Sequence, residues 1–140
     1  MTATSIEARI TDALCTRLGT LVFTPAIPVA WPNLAFTPPS GRYLRASLMR
    51  GRTEATAFKT DTQQGIFQIS VFSPVGAEGA IPADNVAGAI VAHFPRGLWL
   101  PPNGGVTVRV RRSWAGSAIK DNDRWHVPVS VDWFAQVNSA

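Results

Sequence analysis

Residues Trp125-His-Val-Pro-Val-Ser-Val-Asp-Trp133 decide the reading of the fold. Along this stretch the large apolar side chains fall on every second position. Trp125, Val127, Val129, Val131 and Trp133 share one face of an extended chain, and His126, Pro128, Ser130 and Asp132 share the other. That rhythm predicts a long strand with one face in a core. Pro128 has no N–H to give to a ladder, which points to an edge position or a bulge. Three other segments share the period. Tyr43–Met49 places Leu44, Ala46 and Leu48 inward and Tyr43, Arg45 and Ser47 outward. Ile66–Phe72 places Phe67, Ile69 and Val71 on one face. Val106–Val110 alternates three valines with Thr107 and Arg109.

Around these strands lie two helical patterns. Ile6, Ile10, Leu14 and Leu18 recur every four residues, with Ala13 and Arg17 beside them. Thr4-Ser5-Ile6-Glu7 fits a capping box in which the Thr4 hydroxyl and the Glu7 carboxylate cover free N–H groups, and Gly19 is a natural stop. The pattern predicts a helix over Ser5–Leu18. Pro82 suits a first helical position, Val86, Ala89, Ile90 and His93 follow at helical spacing to Phe94, and Gly88 would allow close packing on the sheet. Pro95-Arg-Gly97 ends this helix. Leu98–Gly105 reads as an apolar loop and turn, Trp114–Lys120 has no clear pattern, and Asp121-Asn-Asp123 reads as a turn.

Two segments stand apart. Phe23–Gly41 carries five prolines, which forbid a regular helix or a central strand, yet Ile27, Val29, Trp31, Leu34 and Phe36 are too apolar for a free linker. It reads as an ordered arm packed along the domain or a neighbour, with a short edge strand at Val29–Trp31. Arg50–Gln64 is a polar loop with a weak strand near Thr56–Phe58 and a mobile tip. The whole, residues 1–140 without internal repeats, reads as one α/β (α+β) domain. It has a mixed, mostly antiparallel sheet of about four to six strands with two main helices packed on it.

Composition narrows the function. Apolar residues make up 46% and charged residues 16%, which excludes disorder as the overall state. No apolar run approaches the ~18 residues of a spanning helix, so no membrane partner is expected. The first residues show no basic-then-apolar leader pattern. The one cysteine, Cys15, excludes a disulfide framework and a cysteine zinc cluster, and suits a reducing cytoplasm.

Catalytic signatures are missing. Neither glycine-rich phosphate motif occurs, nor does His-Glu-x-x-His. His93 and His126 lie far apart in sequence. A metal site would need them to meet beside a carboxylate such as Asp132. The simpler reading sets His93 at a helix C-terminus and His126 on a polar strand face. Cys15 has no basic partner at contact spacing, because Arg17 is two positions away. Asp121-Asn-Asp123 lacks the rest of a calcium loop. No cofactor, metal or catalytic residue is expected, and the chain reads as a non-enzyme.

The net charge of +4 comes from 11 Arg and two Lys against nine acids. Arg45, Arg109 and Arg111 fall opposite the inferred core positions, flanked by Arg42, Arg50, Arg52 and Arg112. If their strands neighbour one another they form a basic face for DNA or an acidic protein ring. Otherwise they form a solvated face paired with acids.

The order of segments resembles that of a known family. An amphipathic helix leads into Val29-Ala-Trp-Pro-Asn33 and Phe36-Thr-Pro-Pro-Ser-Gly-Arg-Tyr-Leu-Arg45. Gly65-Ile-Phe-Gln-Ile-Ser-Val-Phe72 with Pro74, a helix ending at His93-Phe94, and Trp125-His-Val-Pro-Val-Ser-Val131 follow. This is similar to the tail terminators of long-tailed phages, such as the lambda tail terminator, over nearly the whole chain. The resemblance implies a structural virion protein without catalytic residues, assembled in the host cytoplasm and placed at the head-proximal end of the tail. It implies a homo-hexameric ring that caps the tail tube, stops its polymerisation and offers a docking surface to head-completion proteins. DNA would pass through the lumen without sequence-specific binding. Within that picture, Trp31 and Phe36 in the arm and Arg42, Arg45, Arg50, Arg52, Arg109 and Arg111 are the candidate interface or lumen residues, and the 50–64 loop could order on the tube. The alternatives are another head–tail joining protein and a basic nucleic-acid-binding module.

Overall fold

The computed structural model describes residues 3–57, 60–76, 79–121 and 123–138. Among them one sheet carries seven strands: β1 (Val29–Ala30), β2 (Tyr43–Arg50), β3 (Glu54–Ala57), β4 (Thr60–Pro74), β5 (Val108–Ala115), β6 (Ile119–Asp121) and β7 (Arg124–Asn138). Five run in the order β1-β2-β4-β7-β5. β3 extends β4 and β6 extends β7. Only the β1–β2 pair is parallel. The helices are α1 (Ile6–Gly19) and α2 (Ile81–His93). The mixed, mostly antiparallel α+β architecture is the one the alternation predicts.

The two centre strands are 15 residues each and pair over their full length, Thr60 against Asn138 through to Pro74 against Arg124. At about 3.3 Å per residue they span roughly 50 Å. Their inward residues Phe67, Ile69, Val71, Val127, Val129, Val131 and Trp133 are buried. So are Leu44, Ala46, Val108 and Val110 on the flanking strands. Both helices cover this face: Ile10, Leu14 and Leu18 from α1, and Ala83, Val86, Ala87 and Ile90 from α2 complete the cluster. Gly65 is required where β2 and β4 cross the core edge, because a Cβ there would run into the Met49 carbonyl oxygen and the Trp133 indole.

Several local expectations are corrected. The N-cap of α1 is Ser5, whose hydroxyl accepts from the Ala8 N–H at 3.0 Å, so Thr4 and Glu7 do not form the capping box. Gly19 stays helical, and Thr20 closes the helix through its own N–H. Gly88 faces outward with nothing near it, so it does not mediate packing on the sheet. Pro128 sits in a central strand, flanked by β4 on one side and β5 with β6 on the other. Its carbonyl accepts from Gly116 at 2.7 Å, so its missing N–H points to the same side. There β5 has ended at Ala115 and β6 has not begun, and the break spares a ladder bond. The polar 50–64 segment is mostly a hairpin. Glu54–Ala57 pairs with Thr60–Thr62, and the tip expected to be mobile, Phe58 and Lys59, lies outside the described residues, as does Asn122.

Candidate functional site

With both helices on one face, the other face of the sheet is left uncovered. Its side chains differ from one end to the other.

At the β2 end the rings close on one another. Tyr43 lies 4.9 Å from Phe72, which lies 4.5 Å from His126. Both pairs are stacked, and Phe36 of the arm tilts onto Tyr43 at 5.4 Å. The arm lies along this end of the sheet. Val29 and Ala30 add β1 beside Leu44 and Arg45, the Pro28 carbonyl accepts from the Leu44 N–H at 2.9 Å, and Ile27, Val29 and Trp31 pack on the core. Arg124 fastens the end of the arm by donating to the Gly41 carbonyl at 2.6 Å and to that of Pro39, with its guanidinium over Tyr43.

At the β5 end the rings and arginines alternate. The guanidinium of Arg109 lies 3.8 Å from the Trp99 ring and 5.8 Å from Phe134, and that of Arg111 lies 4.4 Å from Phe134. Arg112 lies over Trp114. A β-bulge between Val110 and Arg112 makes this possible. Arg112 pairs with Asp132 and Trp114 with Ser130, so two consecutive arginines reach the same face. Trp99 is 61% exposed and Trp114 40%.

Arg45, Arg109 and Arg111 share this face as predicted, but they lie at its two ends and do not form one continuous patch. Arg45 is opposite Ser70, over Phe72 at 5.6 Å, at the β2 end, while Arg109 is opposite Phe134 at the far end. Arg42 turns to Ser73 at 3.0 Å, and Arg50 donates to the Thr11 hydroxyl at 2.9 Å and to the Glu7 carbonyl. Arg52 is exposed, outside any strand. Trp31 and Phe36 stand in the arm, both partly buried.

The family model for the phage tail terminator protein matches residues 9–133. The chain belongs to the phage tail terminator family. It is thus a structural protein of the phage tail, in a family that is not enzymatic. A solved structure 35% identical to this terminator covers 96% of it, and 98% of its own chain, with a TM-score of 0.78. A chain in the virion of a native gene transfer agent particle shares the fold at 17% identity, over 97% of this chain and 99% of its own, with a TM-score of 0.61. No curated protein matches it.

His93 ends α2 and bonds the end of α1. Its Nε2 lies 2.8 Å from both the Arg17 carbonyl and the Thr20 hydroxyl, and its own carbonyl accepts from Arg17 at 2.8 and 3.0 Å. His126 is on the opposite side of the sheet, so the two histidines do not meet. No metal-binding group of three side chains occurs among the described residues. Burial, and then the Asp12 carboxylate, push the Cys15 thiol up to about 11, the reverse of an activated nucleophile. Arg96 and Arg124 escaped the sequence reading, and Arg112 reads from sequence only as flanking the basic face. Arg112 was detectable, because Val110-Arg-Arg-Ser-Trp114 breaks the alternation, and a regular strand would point Arg112 into the core. Arg124 gave no local signal, since its partners lie more than 80 residues away.

Proposed function

We propose that this terminator forms a six-membered ring at the head-proximal end of the tail tube. The ring stops tube polymerisation and presents a docking surface to head-completion proteins, and DNA passes through its lumen without sequence-specific contacts. The carrying observation is the unlike character of the two ends of the sheet. The β2 end is largely covered by the subunit's own arm, with Leu34 at its turn 66% and Met49 at the end of β2 48% exposed. The β5–β6 end leaves Trp99, Trp114 and Ile119 uncovered. Unlike ends suit a head-to-tail contact that closes into a ring, whereas a two-fold dimer would bury one surface against itself. In this reading Trp31 and Phe36 brace the arm as an intersubunit strap, Arg109 and Arg111 belong to the exposed contact, and the 50–64 hairpin meets the tail tube.

Solution mass across a wide concentration range, with negative-stain images of the same sample, tests it. A six-subunit particle with a central hole is the expected result. A strict monomer that also fails to co-purify with tail tubes overturns it. The strap assignment loses its support if Trp31→Ala leaves ring assembly intact. The hairpin assignment fails if deleting residues 53–63 leaves tube binding unchanged.

A further inference from the structure

Arg96, Arg111 and Arg112 line one open cavity of about 480 Å³ at the β5 edge, together with Gly97, Val110 and Asp132. Three guanidiniums face one carboxylate there. Asp132 serves Arg111, at 3.6 Å, and Arg111 also reaches Gln64 at 3.4 Å. Arg96 and Arg112 have neither an ion pair nor a side-chain hydrogen bond among the described residues.

The chain builds this excess rather than merely tolerating it. The bulge in β5 turns both Arg111 and Arg112 outward. Gly97, at φ +83, turns the chain after α2 and donates its N–H to the Val110 carbonyl at 2.8 Å, which brings Arg96 to the same edge. Phe134 and Trp114 then lie under the guanidiniums of Arg111 and Arg112. A guanidinium held over a ring is partly desolvated on that side and keeps N–H groups free to donate. That geometry suits in-plane, bidentate hydrogen bonds to a carboxylate.

We propose that this cavity is a docking site for a carboxylate-rich segment of a partner protein. The observations favour a protein over a nucleic acid. The arginines converge on one concavity large enough for a few side chains, whereas duplex DNA needs cations spread along a backbone track. The exposed Trp99 and Trp114 at the same end of the sheet, with arginine, are the types that anchor protein interfaces. The site is complete in one subunit, so it adds the chemistry of one partner to the capping role and stands whether or not the chain closes into a ring.

The probe is a fluorescent oligoglutamate peptide titrated against the full chain, read by anisotropy. Binding to the unaltered protein is expected, with affinity at least about tenfold weaker in Arg96→Ala/Arg112→Ala, which removes two guanidiniums and so at least one charge-assisted contact. The pair Lys59→Ala/Lys120→Ala removes the same net charge and should change affinity less than about twofold. Arg96→Lys/Arg112→Lys keeps the charge, guards against a folding defect and should still lose most of the affinity, because an ammonium has no fork. No binding to the unaltered chain, or equal weakening in the arginine and lysine pairs, overturns the proposal. So does tighter binding of a short DNA duplex that the same arginine pair abolishes. A ring that forms normally while the peptide fails to bind would remove this site and leave the capping role intact.

Discussion

The two ends of the uncovered sheet face use the same residue types to opposite effect. At the β2 end, Phe36, Tyr43, Phe72 and His126 stack on one another, and Arg124 donates to carbonyls of the subunit's own arm. Tyr43 is buried there although it points away from the helical core. At the β5 end, Trp99, Phe134 and Trp114 carry arginines whose outer edges remain open. An aromatic–arginine cluster on a sheet is therefore not by itself an interface. What separates the two ends is whether a segment of the same chain returns to cover the cluster. The Pro-rich arm returns at one end, and nothing among the described residues does so at the other.

The largest expected effect tests the sealed end. Tyr43→Ala removes a buried ring with three aromatic or cationic neighbours, Phe36, Phe72 and Arg124, and should cost ~3–4 kcal/mol in urea unfolding, as for other large aromatic truncations. Trp114→Ala at the open end should cost no more than about 1 kcal/mol, the worth of an exposed cation–π contact. Equal losses at the two ends would erase the distinction. A second, smaller contrast lies in the arginines. Arg124→Ala gives up two hydrogen bonds to arm carbonyls and should lose about 2 kcal/mol. Arg112→Ala should stay within ~0.5 kcal/mol while weakening the oligoglutamate complex. If Arg112→Ala destabilised the fold as much as Arg124→Ala, its role would be intramolecular.

Much of the sheet was legible because burial on one face only imprints period two directly on the sequence. Leu44, Phe67, Val108 and Val129 could be placed before any coordinates. What escaped depended on partners distant along the chain. Pro128 reads as an edge residue because the sequence does not show that β5 and β6 leave a gap beside it. The weakly apolar β3 and β6 exist because β4 and β7 run past their neighbours and offer free edges. Gly88 misled because glycine in a helix suits either close packing or mere exposure, and only the position of the sheet decides. At the surface, counting arginines found the right residue type. The bulge at Arg111, invisible to strict alternation, decided which arginines share a cavity.

The smallest effect reports on the arm where it meets α1, on the helical side of the sheet. Cys15 lies in the groove between α1 and the arm, beside Trp31, Pro32, Asn33 and Leu34. Its thiol is pushed up to about 11, chiefly by burial and secondarily by Asp12. In the unfolded chain it ionises near the ordinary thiol value of roughly 8.5. Stability from this group is therefore fully present below about pH 8.5, declines as the pH climbs towards 11 and is level beyond it, because the unfolded chain gives up the proton first. Unfolding of the unaltered chain and of Cys15→Ala, measured across this range, should diverge with that sign. Alkylation should show the same elevation, being slow at pH 8 and rising with a midpoint near the folded value rather than the free-thiol one. Because the arm supplies one wall of the groove, Trp31→Ala should lower that midpoint and speed alkylation several-fold at pH 8, as burial is relieved. If alkylation were unchanged by loss of Trp31, the desolvation would come from α1 and the core alone. The arm would then lie beside α1 without closing the groove over Cys15.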